Sequence, residues 1–305
     1  MILPALAVAA AETVCLEVGA SPGSVAVDDL PANESSGLAA GRADPGVFYT
    51  HDDGGDPSLF LFSLDGSFLG EQRVDGATNQ NWEDVAGGPC PAGVAAEHCL
   101  WIGDIGDNEG TRASVTVYVI PESRGLSEAA VSCALRYPEG KARDAEALFV
   151  DPAGTLRIVS KEDDGEAKVF RLDAPRCDGT VETLVLEHEL QLGSAVTGAA
   201  MRADGKAVVF RSLTHGWMWV GCEVDLRDPP IELDLGAQPQ GEAIAFTEDG
   251  GLVVTSEGEP FRVWEIPCAE SGPAPCDGCG CGSGSNGLLF VTFAGSALRR
   301  GRRSR

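Results

Sequence analysis

The chain has 305 residues, a formal charge of −25 and 43% apolar residues. This apolar content argues against wholesale disorder, and the charge argues against nucleic acid or an anionic membrane surface as the partner. The 39 glycines, about twice the usual share, favour many short strands joined by tight turns.

Residues 1–11 form an apolar run that ends in small residues. The run predicts a signal peptide, although the basic segment that normally precedes it is missing. Either the true start lies upstream, or the run is simply an apolar N-terminal segment. Ten cysteines, an even number, favour disulfides and therefore an exported protein. The pairings cannot be chosen from sequence, except that Cys90 and Cys99 bracket one loop and are expected to pair.

Residues 16–268 contain an internal repeat that predicts an all-β fold, a β-propeller. Each copy has a polar residue before a run of small and apolar residues, and two further β-rich runs follow after turns. The copies start at Glu34, Glu83, Glu146, Thr197 and Glu242. The second runs are 47–50, 100–103, 156–159, 207–210 and 252–255, and the third runs are 59–62, 115–119, 168–171, 217–220 and 261–264.

The copies start 49, 63, 51 and 45 residues apart, which is the length of a propeller blade. The last copy lacks a fourth strand, and we therefore expect residues 24–27 to complete it and close the ring. Five blades are counted. A sixth blade is an alternative if the 63-residue interval hides a degenerate copy, and an antiparallel sandwich is a second alternative.

The C-terminal segment has three parts. Residues 269–287 are a Gly/Ser-rich linker with Cys276, Cys279 and Cys281, residues 288–298 are apolar or small, and residues 299–305 contain five arginines. The apolar part is too short for a membrane-spanning helix, which needs about 20 residues. A zinc site formed by the three cysteines and Cys268 is an alternative interpretation, but no histidine lies nearby.

Four motifs resemble a largely uncharacterised family of exported bacterial propeller proteins. They are residues 34–38 (ESSGL), 50–53 (THDD), 81–86 (NWEDVA) and 101–108 (WIGDIGDN). The resemblance implies a propeller that is distantly similar to calcium-dependent propeller lactonases and phytase-like esterases. The order of cysteine, apolar stretch and terminal arginines resembles myxobacterial C-terminal sorting signals. It implies that a tail at residues 288–305 is processed after export and that the protein is retained at the cell surface.

The repeat also predicts a site at one mouth of the channel, because the start of a first strand and the end of a second strand lie at the same edge of a hairpin. The acidic residues at these positions are Glu34, Glu83, Asp104, Asp107, Glu146 and Glu242. Crowded carboxylates raise one another's pKa or bind a cation, and oxygen ligands favour Ca²⁺. The alternative is that the aspartates cap turns and the glutamates bond loop amides.

The same edge holds a candidate acid–base set for catalysis: His51, His215 and the electrophile Lys161. A metal-activated water that attacks an ester, lactone or phosphate would use these groups. We expect an exported, surface-retained, monomeric scaffold that binds Ca²⁺ and a small molecule or cell-surface partner, with no transmembrane helix in its mature form. A metal-dependent hydrolase is the alternative, so whether the protein is an enzyme stays open.

Overall fold

The computed structural model describes residues 13–32, 34–162 and 164–275. These residues form β-strands and one short 3-10 turn at Pro138–Gly140. Within this part of the chain there is no helix of the length and apolarity required to cross a bilayer. The expected signal peptide, the sorting tail and Cys276, Cys279 and Cys281 lie outside the described residues.

Five sheets, each built on four antiparallel strands, surround a central channel as the blades of a propeller, which confirms the predicted fold and blade count. Two strands precede the first blade, β1 (Thr13–Val18) and β2 (Ser24–Ala26). Blade 1 contains β3 (Ser35–Ala40), β4 (Phe48–Asp52), β5 (Ser58–Phe62) and β6 (Phe68–Asp75). Blade 2 contains β7 (Trp82–Pro89), β8 (His98–Asp104), β9 (Val115–Pro121) and, after the short strand β10 (Ser127–Ala129), β11 (Val131–Arg136).

The remaining blades follow the same order. Blade 3 contains β12 (Ala145–Val150), β13 (Leu156–Ser160), β14 (Glu166–Leu172) and, after β15 (Glu182–Thr183), β16 (Val185–Gln191). Blade 4 contains β17 (Gly198–Met201), β18 (Ala207–Arg211), β19 (His215–Val220) and β20 (Ile231–Asp234). Blade 5 contains β21 (Gly241–Phe246), β22 (Leu252–Ser256) and β23 (Arg262–Ile266), and β24 (Cys268–Pro273) follows it. The first strand of each blade packs against the first strands of its neighbours around the channel.

The ring is closed by the N-terminal segment, as the repeat predicts. Strand β2 pairs with β23 and becomes the outer strand of blade 5. Strand β1 then pairs with β24, and a disulfide between Cys15 and Cys268 joins the two strands. Since Cys268 is oxidised, it does not supply a fourth thiolate for a zinc site.

The long interval between Glu83 and Glu146 is explained by a connection that folds back onto the preceding blade. Strand β10 lies in this interval and pairs in parallel with β6 of blade 1. Strand β15 repeats the arrangement one blade later and pairs with β11 of blade 2, where Cys133 and Cys177 form a disulfide. The extra residues therefore widen existing blades, and the six-bladed alternative is wrong. The predicted Cys90–Cys99 disulfide is confirmed.

The hydrophobic core lies between the blades. Five clusters of buried side chains each join two neighbouring blades. Phe62 of blade 1 meets Phe261 of blade 5, and Phe149 of blade 3 meets Phe210 of blade 4, with ring centroids 5.3 and 5.7 Å apart. Since aromatic side chains bury large areas, these contacts between blades stabilise the ring and fix the positions of the inner strands that carry the site.

Candidate functional site

The inner strands of four blades are interrupted near their first residues by a bulge. Ser36, Glu83, Glu146 and Glu242 lie where the register with the second strand shifts by one residue, which leaves an extra residue on the first strand. A bulge re-aims the extra side chain out of the normal alternation of its strand. All four side chains are buried, and we call this end of the channel the acidic mouth, after Glu83, Asp144, Glu146 and Glu242.

Ser36, and not Glu34, takes the bulge position of blade 1. The Ser36 hydroxyl lies 3.1 Å from Oε2 of Glu83 and donates to its carboxylate. Glu34 lies two residues earlier and is exposed. It contacts Asp53, whose pKa is raised by burial and by the nearby charges of Glu34 and Asp52. Glu34 therefore lies with Asp52 and Asp53 outside the buried cluster.

Three carboxylates meet at the centre of the acidic mouth. Glu83, Asp144 and Glu146 each place one oxygen within 4.8 Å of the other two. Asp144 is half-buried, and its Oδ1 accepts the backbone N–H of Asp107 at 2.7 Å. Hard cations such as Ca²⁺ prefer this ligand chemistry. The predicted residues Glu83 and Glu146 are thus brought together, and Asp144 is a member that the sequence pattern missed.

The repeat contains a pattern that could have identified Asp144: a polar side chain stands two residues before each bulge. Asn81, Asp144 and Gln240 occupy this position in blades 2, 3 and 5, as Glu34 does in blade 1. The side-chain amide of Asn81 donates to Glu83, and Gln240 bonds Glu242. The mouth therefore has two polar layers, one at the bulge and one just before it.

Burial and mutual repulsion shift the pKa values of the inner carboxylates upward. Burial, followed by the charges of Glu146 and Asp144, raises the pKa of Glu83 to about 10. Burial, followed by Glu146, raises the pKa of Glu242 to about 7. Burial also raises the pKa of Glu146, although Lys161 opposes it. Without a bound cation, Glu83 therefore retains its proton at neutral pH.

Lys161 follows β13 and gives the mouth a positive charge. Its ammonium group bonds Oε1 of Glu146. Burial by itself lowers the pKa of Lys161, but Glu146, Asp144 and Glu242 together outweigh that effect and raise it. Lys161 is thus the one predicted catalytic residue that the structure places at the cluster.

The two predicted histidines lie elsewhere. His51 is fully buried beside Trp82, with ring centroids 5.6 Å apart, and burial lowers its pKa to about 4. Within the described part of the chain, its Nε2 has no hydrogen-bond partner. His215 is exposed, and its Nδ1 lies 2.8 Å from the hydroxyl of Thr214. Neither ring belongs to the carboxylate cluster.

Asp104 and Asp107 hold the loop that follows β8. Asp104 forms a 2.8 Å ion pair with Arg112, and the carboxylate of Asp107 accepts the N–H groups of Thr111 and Arg112 at 2.9 and 2.8 Å. The loop places Gly106 against Glu83, where a Cβ atom would lie 2.1 Å from Oε1 of Glu83. The two aspartates are therefore engaged in shaping the mouth, and they lie outside the three-carboxylate cluster.

Two buried charges in the channel wall were missed from sequence. The carboxylate of Asp84 accepts N–H groups of Val85, Leu148 and Ala199 at 2.8, 2.9 and 3.3 Å, which ties the inner strands of blades 2, 3 and 4 together. Burial raises the pKa of Asp84 well above its usual range, and these N–H bonds oppose the shift. Arg211 is also fully buried and donates to five oxygens, those of Ser212, Leu213, Gln238, Ala243 and Thr255.

No family model and no curated protein matches the chain. Among solved structures, a streptogramin B lyase is similar over 78% of this chain and 66% of its own chain, just under two thirds of its length, at 13% identity and a TM-score of 0.40. The PQQ-bound aldose sugar dehydrogenase of Streptomyces coelicolor is similar over 84% and 98%, at 11% identity and a TM-score of 0.42. Likenesses this distant transfer no activity, and the five-bladed assignment rests on the sheet topology itself.

Proposed function

We propose that the protein is an exported propeller that binds Ca²⁺ at the acidic mouth and uses this face to hold a ligand or a cell-surface partner. The observation that carries the proposal is the cluster of Glu83, Asp144 and Glu146, whose oxygens lie within 4.8 Å of one another. Like charges at such distances are costly unless they bind protons or a cation. A divalent cation would satisfy all three at once.

The residues present fit calcium by their chemistry. The three carboxylates would supply the primary ligands, and the hydroxyl of Ser36 and the side chain of Glu242 are nearby oxygen donors. Lys161 would compete with the cation for the carboxylate of Glu146. Calcium would neutralise the mouth and allow anionic or carbonyl oxygens of a ligand to approach it.

A thermal melt of the full chain tests the proposal, first with excess EDTA and then with Ca²⁺. At about 100 times the Kd, a bound ion stabilises the folded state by about 2.7 kcal/mol, so we expect a rise in Tm of about 5–10 °C. The double variant Glu83→Gln/Glu146→Gln should show no rise in Tm when Ca²⁺ replaces EDTA, because two of the three carboxylates are gone. Glu232→Gln, an exposed position on β20, is the matched control and should keep the full response. Calcium binding by the double variant at parental strength would show that the site lies elsewhere.

The alternative, a metal-dependent hydrolase, is favoured by one specific observation. Glu242 has its pKa raised to about 7 by burial and by Glu146, which suits a general acid–base near neutral pH. Lys161 would polarise a carbonyl or phosphoryl oxygen next to it. Turnover of esters, lactones or phosphates with Ca²⁺ present, lost in Glu242→Gln with calcium binding retained, would establish the enzyme over the scaffold.

The proposed export is supported by the disulfides Cys15–Cys268, Cys90–Cys99 and Cys133–Cys177. Such bonds persist in oxidising compartments and are rare in the cytosol. Digestion of intact cells by an added protease should remove a surface-retained protein, and protection until lysis would contradict surface retention.

A further inference from the structure

The opposite end of the channel contains a cavity of about 500 Å³, formed by the far ends of the inner strands. We call it the distal cavity. Strand β7 runs from Glu83 at the acidic mouth to Gly87, which lines the distal cavity. Val85 and Ala199 also line it and donate their N–H groups to Asp84. Asp84 therefore lies between the two ends of the channel, and the distal cavity is a separate site.

Small side chains create this space. Ala40, Ala86, Gly87, Ala200 and Ala245, from the inner strands of four blades, line the distal cavity. Volumes of about 300–1,000 Å³ are typical of sites for small molecules. This part of the wall is thus apolar, and it suits a compact apolar body.

Arg42 supplies a positive charge to the wall. It follows β3, and its Nε lies 3.3 Å from where a Cβ atom of Gly87 would be, so the side chain crosses β7 at a glycine. Among the described residues, it is the one arginine whose guanidinium has no hydrogen bond and no ion pair. Glu122 is the nearby acid, but its carboxylate accepts the backbone N–H groups of Arg42, Ala43 and Asp44 at 3.0, 2.9 and 3.2 Å. The turn is held in place while the guanidinium remains available.

The arrangement discriminates between ligands. A guanidinium offers a planar fork that matches a carboxylate, and partial burial makes an unpaired charge costly. Arg202 at the same rim is already paired with Asp204 at 3.0 Å. Asp204 and Glu248 line the rim as well, and they disfavour ligands of higher negative charge such as phosphates.

We propose that the distal cavity binds a small organic monocarboxylate, whose carboxylate pairs with Arg42 and whose compact apolar part lies against the alanine-lined walls. Binding there does not involve the metal, because Asp84 and the inner strands separate the distal cavity from the acidic mouth.

Isothermal titration calorimetry of the full chain with benzoate and cyclohexanecarboxylate tests this proposal. Benzamide and cyclohexanecarboxamide are the uncharged control ligands of similar shape. We expect saturable binding of the carboxylates, with the amides weaker by about 10-fold or more because the charge-assisted bonds are lost. Arg42→Gln should weaken the carboxylates to the level of the amides, and Arg42→Lys should lie between. Arg73→Gln, an exposed arginine on β6, should bind like the parent.

Three results would overturn the proposal. These are no saturable binding of either carboxylate up to about 10 mM, parental affinity in Arg42→Gln, or loss of binding on addition of EDTA. The last result would place the carboxylate on a metal at the acidic mouth. Conversely, carboxylate binding that persists in EDTA and in Glu83→Gln/Glu146→Gln would support the distal site even if the calcium proposal failed.

Discussion

The two ends of the channel differ in how completely their charges are paired. At the acidic mouth, every buried carboxylate of the cluster has neighbours that repel it or bond it, and Lys161 bonds Glu146. At the distal cavity, much of the wall is alanine and glycine, and among the described residues the guanidinium of Arg42 has no hydrogen bond and no ion pair. The same inner strands thus place crowded carboxylates at their first residues, and small side chains beside an arginine at their last.

The separation of the two ends depends on Asp84, and its removal is the largest effect we predict. Asp84→Ala would leave the N–H groups of Val85, Leu148 and Ala199 buried without partners. Unsatisfied buried groups cost about 1–3 kcal/mol each, and relaxation of the wall recovers part of this. We expect unfolding in urea to show a loss of about 3–5 kcal/mol.

Asp204→Ala is the matched control for Asp84, since Asp204 is an exposed acid at the rim of the distal cavity. Exposed ion pairs contribute about 0–1 kcal/mol, so this variant should stay within that range. A comparably small loss in Asp84→Ala would mean that the inner strands of blades 2, 3 and 4 are held together by packing alone.

The second prediction concerns the pH dependence of the acidic mouth. The pKa of Glu242 is raised from its usual value to about 7 by burial and by Glu146. A folded state that holds this proton more tightly than the unfolded chain is most stable below the unfolded pKa, and the advantage is lost as the pH rises through 7. Without calcium, the free energy of unfolding should therefore fall between pH 5 and 8, and about 2 kcal/mol of that fall should disappear in Glu242→Gln.

Calcium should reverse the pH trend, because the ion displaces the protons and binds more tightly as the pH rises. Urea unfolding at several pH values, with EDTA and with Ca²⁺, measures both slopes. A parental slope in Glu242→Gln would show that this carboxylate titrates alike in the folded and unfolded states.

Much of the fold could be predicted from sequence because a propeller repeats one local pattern. The run at residues 100–103 lies within β8, and the run at 217–220 lies within β19. Strands β10 and β15 could not be found, because three-residue and two-residue strands carry no periodicity and their pairing depends on a connection returning to an earlier blade. The disulfides Cys15–Cys268 and Cys133–Cys177 depend on the same distant pairings.

The site was predicted less completely, and bulges explain much of the difference. The convergence of Glu83 and Glu146 follows from hairpin topology, but Glu34 was aligned two residues from the bulge that Ser36 occupies. The amino-acid types in a strand do not reveal where a bulge lies. Burial explains why His51 was wrongly placed at the site. It is adjacent to carboxylates in sequence, but its side chain is fully buried in edge contact with Trp82. No pattern of residue types predicted that Asp84 would accept N–H groups from three blades.

The smallest effects we predict compare an arginine from each end of the channel. Arg112 at the acidic mouth donates to Asp104 at 2.8 Å and to the carbonyl oxygen of Gly106 at 2.7 Å. Arg112→Gln leaves a buried carboxylate without its ion pair, so we expect a loss of about 1–2 kcal/mol in urea unfolding. Arg42→Gln removes no hydrogen bond or ion pair within the described residues, so its unfolding free energy should stay within about 0.5 kcal/mol of the parent. Equal losses of unfolding free energy at the two positions would mean that internal contacts hold the Arg42 guanidinium. The acidic mouth and the distal cavity would then not differ in how their charges are paired.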